Sequence, residues 1–122
     1  RTRQRKLYRF YQLRKANQLF WYDFLEQLAG KNLSGKKIAL FGCGDAMSFG
    51  STFCDAVGII YEKLQGTGAT FIGTVDPSDY TYDASTAEID GQLVGLLIDE
   101  NNEADKTELR IQNWTDALKK EI

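Results

Sequence analysis

The residues best placed to do chemistry lie in one stretch, Gly42-Cys43-Gly44-Asp45, with Phe49 four positions further on. The glycines let backbone donors approach a ligand closely, and Phe49 offers a π-face worth about 0.5–1.5 kcal/mol against a second ring. A tight strand-to-helix turn is the competing reading, and on pattern alone it is favoured, because a lone Gly-x-Gly has little specificity. Asp45 has no second carboxylate in a recognisable motif, so it reads as a turn former rather than a catalytic acid or cation ligand. Cys43 and Cys54 lack metal-ligand spacing and read as small buried hydrophobes rather than redox thiols. The chain contains no His, which excludes histidine catalysis and His-containing metal sites. No catalytic constellation and no metal site is assigned.

The elements that must hold this stretch follow from the pattern of apolar residues. Lys37 to Phe41 is a short run without alternation, as expected of a strand buried on both faces, and ligands in open α/β sheets bind beyond the carboxyl ends of such strands. Before it, apolar residues from about Gln4 to Leu28 recur near helical spacing and predict one long helix or two shorter ones. After the loop Gly44 to Ser51, Thr52 is the expected N-cap of a helix from Phe53 to about Leu64, with Phe53, Val57, Ile60, Tyr61 and Leu64 on its buried stripe. Ala69 to Val75 predicts a second strand, stopped by Asp76-Pro77, and Gln92 to Ile98 a third. Asp76 to Gly91 between them is polar, with short extended pieces at most. An acidic turn then leads into a C-terminal helix whose expected stripe is Leu109, Trp114, Leu118 and Ile122, with Ile111 nearby. The order of elements predicts an α/β fold of parallel strands joined by right-handed crossovers.

The chain has 122 residues and a formal charge of −2, but the charge is unevenly distributed. The first fifteen residues hold seven of the 15 Lys and Arg and no acid, leaving eight basic against 17 acidic residues in the rest. We divide the chain accordingly into a basic, amphipathic segment 1–20 and a body 21–122. Tyr8, Phe10 and Tyr11 interleave with Arg and Lys, a pattern seen in nucleic-acid or membrane-surface binders. It also has the acid-poor look of a targeting segment. A cover for exposed core, or a joined foreign sequence, is preferred to either. Two cysteines are too few for a disulfide framework, and the default is a reducing, cytoplasmic compartment. No stretch reaches the length of a membrane span.

From Trp21 to Ile122 the chain resembles the C-terminal part of a long-chain flavodoxin, the FMN-binding electron carriers of bacteria and algae. The resemblance rests on Trp21-Tyr22-Asp23-Phe24, the run Gly35 to Asp45, Phe53-Cys54-Asp55-Ala56-Val57-Gly58, Gly91 to Leu96 and Arg110-Ile111-Gln112-Asn113-Trp114. It implies a truncated flavodoxin-like parallel sheet with flanking helices, in which the strand at Lys37 is the fourth. The strands at Ala69 and Gln92 would be two parts of the fifth, separated by an insertion. It also implies FMN as cofactor, with Cys43, Gly44 and Asp45 meeting the pyrimidine edge of the flavin through backbone amides. Phe49, where the family usually has Tyr, would stack on the ring.

The sequence departs from the family in lacking the Thr/Ser-rich phosphate loop, the first three strands and the Pro-Thr-Trp of the second stacking loop. The resemblance thus implies an FMN-dependent electron-transfer protein, not an enzyme, whose cofactor site is incomplete on its own. Its acidic surface, including Asp99 to Asp105, would meet redox partner proteins, and its setting would be cytoplasm, or plastid stroma in an alga. The alternative is a flavin-free, truncated or engineered module acting in self-association or protein interaction. With three strands absent the strand at Lys37 becomes an edge, which predicts a homo-oligomer or a helix of segment 1–20 lying across the core.

Overall fold

A computed structural model describes residues 21–122, so segment 1–20 and most of the helix expected from Gln4 lie outside the described residues. The chain enters through a helix, α1, over 21–29. Lys37 to Cys43 then forms two short strands, β1 (Lys37–Ala39) and β2 (Phe41–Cys43). After a 3₁₀ turn at Gly50–Thr52 comes α2 (Asp55–Lys63), followed by β3 (Thr70–Ile72). A hairpin of β4 (Glu88–Ile89) and β5 (Gln92–Leu93) precedes β6 (Leu96–Ile98) and the long helix α3 (Ala104–Glu121).

β1 pairs in parallel with β3, and β2 in parallel with β6. Their hydrogen bonds show these to be one frame. Thr70 N–H donates to Lys36 O, Leu96 N–H to Leu40 O and Gly44 N–H to Ile98 O, each at 2.9 Å. Alternate residues of a strand point their N–H and C=O to opposite edges, so the even-numbered residues from 36 to 44 all face the β3–β6 side. The run 37–43 is thus continuous, and the interruption belongs to its partner, where 73–95 is inserted between β3 and β6. The backbone groups of 37, 39, 41 and 43 face the other edge, which no strand pairs among the described residues.

The strand at Lys37 is less buried than its unalternating sequence predicts. Ile38, Ala39 and Leu40 are half-buried and Phe41 is 69% exposed, because among the described residues this strand has no cover like the one the inserted segment gives β6. β6 is instead the strand with every residue buried: Leu96, Leu97 and Ile98. The single strand expected over Gln92 to Ile98 is divided at Val94-Gly95, and its first part turns back antiparallel on β4. The tight turn is Asp90-Gly91, both at positive φ (54° and 78°), the pair that two-residue hairpins favour.

Two helix assignments also change. Thr52 belongs to the 3₁₀ turn; the N-cap of α2 is Cys54, held in the left-handed region at φ 52°. In α3 the inward stripe is Arg110, Trp114 and Leu118, whereas Leu109, Ile111 and Ile122 are exposed. Arg110 occupies the core side because its guanidinium lies 3.9 Å over the Tyr80 ring and pairs with buried Glu103 at 3.1 Å. Trp114 Nε1–H donates to Gly73 O at 2.9 Å, tying α3 to the chain just after β3.

The core comprises Ala46, Phe53, Cys54, Val57, Ala87, Leu93, Val94 and Leu97, at the carboxyl end of the sheet. The inserted segment therefore closes the core. Tyr82 stacks on Phe53 with centroids 5.3 Å apart, and Tyr80 Oη donates to Leu97 O at 2.6 Å. Gly58 makes the contact possible, since a Cβ there would sit 2.4 Å from the Thr86 backbone. Among the described residues no helix is long and apolar enough to cross a membrane.

Candidate functional site

Cys43, Gly44, Asp45 and Phe49 come together in the loop that leaves β2 at the carboxyl end of the sheet. Gly44 N–H extends the ladder to Ile98 O, and Phe49 N–H closes the turn on Asp45 O at 2.8 Å. Phe49 is 64% exposed, so its ring face is open to a ligand. Asp45 N–H has no hydrogen-bond partner among the described residues. Cys43 is exposed rather than buried, a consequence of its place on the open edge, whereas Cys54 is buried as expected. Burial, reinforced by Cys43 and Asp99 nearby, pushes the Cys54 thiol up to about 12, so it stays protonated and inert.

The Asp45 carboxylate turns into the loop. Its Oδ1 accepts from Met47 N–H at 3.1 Å and Ser48 N–H at 3.0 Å, the turn-forming role expected of it. It also accepts from Asn102 Nδ2 at 2.8 Å and Asn101 Nδ2 at 2.9 Å. The Ser48 N–H first, then the two asparagine amides, hold this carboxyl far below the usual carboxylate range. The acidic run Asp99 to Asp105 is in part internal: Asp99 is fully buried and Glu103 is buried against Arg110, leaving Glu100 and Asp105 at the surface. Asp99 binds Ala46 N–H at 3.0 Å, so the loops after β2 and β6 are locked together. No motif within either loop announces this pairing, which joins residues more than fifty positions apart.

The arrangement suits the edge of a planar, polar ring: one backbone donor without a partner among the described residues at Asp45, a second on Cys43 along the strand edge, and an exposed aromatic face at Phe49. The described helix starts are less suited to a phosphate, since α2 and α3 carry Asp55 and Asp105 in their first turns. No group of three or more His, Cys, Asp or Glu among the described residues is placed to hold a metal ion.

The sequence matches the family model described as flavodoxin over residues 12–114. The chain belongs to the flavodoxin family. It is 43% identical over 104 residues to flavodoxin 1 of Azotobacter vinelandii, covering 84% of this chain and 60% of that protein. Flavodoxin of Synechocystis is 39% identical over 99 residues, covering 81% and 58% respectively, and flavodoxin 2 of Escherichia coli K12 is 38% identical over 104 residues, covering 84% and 60%. Among solved structures, Fusobacterium nucleatum flavodoxin bound to flavin mononucleotide superposes with a TM-score of 0.78 at 29% identity, over 84% of this chain and 61% of that one. This flavodoxin-family chain spans about 60% of the length of the relatives it matches. The pairing of β1 and β2 with a divided partner strand agrees with the long-chain pattern that the sequence suggested.

Proposed function

We propose that this chain supplies the ring-edge half of an FMN site in an electron-transfer protein. The observation that carries this reading is the open Cys43–Phe49 loop, with an unpartnered amide at Asp45 and an exposed ring at Phe49, at the carboxyl end of the sheet. FMN bound there supplies the redox chemistry. Cys43 and Asp45 meet the polar edge of the ring through backbone amides, Gly44, whose own N–H is committed to Ile98 O, lies between them without a side chain, and Phe49 covers a face. The family match and the FMN-bound Fusobacterium neighbour support the choice of FMN among ring ligands. The protein acts as a carrier between redox partners rather than as an enzyme, in a cytoplasmic setting. Exposed Glu100 and Asp105, with the acidic excess of the body, contribute to the partner surface. Titrating the chain into FMN tests this: progressive quenching of flavin fluorescence at micromolar protein is expected, and unchanged fluorescence contradicts it.

A second reading is favoured by the edge of β1 and β2 that no strand pairs among the described residues. The chain self-associates there, with the two copies' edges pairing antiparallel about a twofold axis and burying Phe41. Sedimentation equilibrium is expected to show a dimer whose population rises with concentration; a monomer throughout contradicts it. The two readings share Cys43, whose backbone lies on that edge, so they are compatible only where the pairing between copies stops short of it.

A further inference from the structure

The candidate ring-edge loop is held by residues that lie outside it. Asp99, at the end of β6, is 0% exposed and accepts from every side. Its Oδ2 takes Ala46 N–H at 3.0 Å, and its Oδ1 takes the N–H groups of Asn101 at 3.1 Å and Asn102 at 3.0 Å. Asn102 Nδ2 lies 3.1 and 3.0 Å from the two Asp99 oxygens and 2.8 Å from Asp45 Oδ1. An amide nitrogen carries two protons, so Asn102 donates one to each carboxylate. Without that bridge the two anions would face each other and repel. An Asp at 102 would add a third negative charge, and an apolar residue would leave both acceptors short of a donor.

We propose that Asn102 and Asp99 are positioning residues for the flavin site, locking the loop Asp45–Ser48 in its ligand-ready form before any ligand arrives. The proposal takes its ligand from the FMN reading, while the lock itself is a property of the chain. With Ala46 N–H committed to Asp99, and Met47 and Ser48 N–H committed to Asp45, the loop cannot turn these three amides outward. What it presents is the Asp45 N–H and the Phe49 ring. Ordering the loop is then completed during folding, so that binding does not bear that entropy.

Amide hydrogen exchange of the flavin-free chain tests the lock. In Asn102→Leu, which removes the donor at similar volume, exchange at Ala46, Met47 and Ser48 accelerates by at least about tenfold, as the loss of a charge-assisted hydrogen bond requires. The amides within α2 and α3 keep wild-type rates. Unchanged exchange at the three loop amides, or equal acceleration everywhere, overturns the proposal. Asn102→Ser, which is too short to reach Asp45, gives the same local pattern and serves if the leucine variant does not fold. FMN titration of the same variants then separates the two claims. Wild-type binding that weakens about tenfold in Asn102→Leu supports positioning, and wild-type binding that is unchanged in the variant overturns it. A wild-type chain that takes no FMN refutes the flavin reading, and the lock is then decided by the exchange rates.

Discussion

Phe41 and Leu96 are partners on one rung of the sheet, yet Phe41 is 69% exposed and Leu96 is 3% exposed. Neither strand has a second β neighbour among the described residues, so strand count does not explain the difference. The cover does. The outward carbonyl of Leu97 on β6 is met by the Tyr80 hydroxyl of the inserted segment, with Leu93 and Val94 beside it in the core. The outward groups of Phe41 and Cys43 on β2 meet nothing comparable in the described residues. An edge closed by the chain's own insertion reads as the middle of the protein, whereas an edge left bare reads as a docking surface.

Three substitutions probe this contrast. Leu96→Ala, in the buried strand, is expected to lower unfolding free energy by about 2–5 kcal/mol in urea melts. Tyr80→Phe removes only the hydroxyl that covers the β6 edge and should cost about 0.5–1.5 kcal/mol. Phe41→Ala, directly across from Leu96, should stay within about 0.5 kcal/mol when melted at concentrations where the chain is monomeric. A Phe41→Ala loss as large as that of Leu96→Ala would mean that the two edges are equally covered, and the contrast would collapse.

Much of this was legible in the sequence, and the failures have definite physical causes. The α/β order, the site loop and the edge position of the strand at Lys37 follow from the apolar runs together with the family resemblance. The hairpin at Asp90-Gly91 was missed although its turn pair is present, because the apolar run from Leu93 to Ile98 outweighed it. In α3 the expected Trp114 and Leu118 do face inward, but Arg110 takes the place expected of Leu109, since an arginine counts as polar in any periodicity while here it stacks on Tyr80 and pairs with Glu103 and Asp79. Asp99 and Glu103 read as surface acids for the same reason: their partners are distant in sequence. Asn102 carried no signal, since its role exists only once two loops meet.

Acid should expose the same lock. Burial raises the Asp99 carboxyl, but the Asn102 amide and the Ala46 and Asn102 N–H groups outweigh it, leaving the group below its ordinary value. Asp45 is lowered in the same direction. A folded-state value below the unfolded one contributes stability that is present above about pH 4 and is lost as pH falls toward the folded value. Urea midpoints should therefore be flat through neutral pH and decline below about pH 4, less steeply in Asn102→Leu.

The central claim is that the loop after β2 receives the flavin ring. The direct measurement is a two-dimensional amide NMR spectrum of isotopically labelled chain, recorded as FMN is added. The account predicts that the largest shifts fall on Cys43, Gly44, Asp45 and Phe49, with the β4–β5 hairpin unmoved. Shifts centred elsewhere, or none at micromolar FMN, would contradict it.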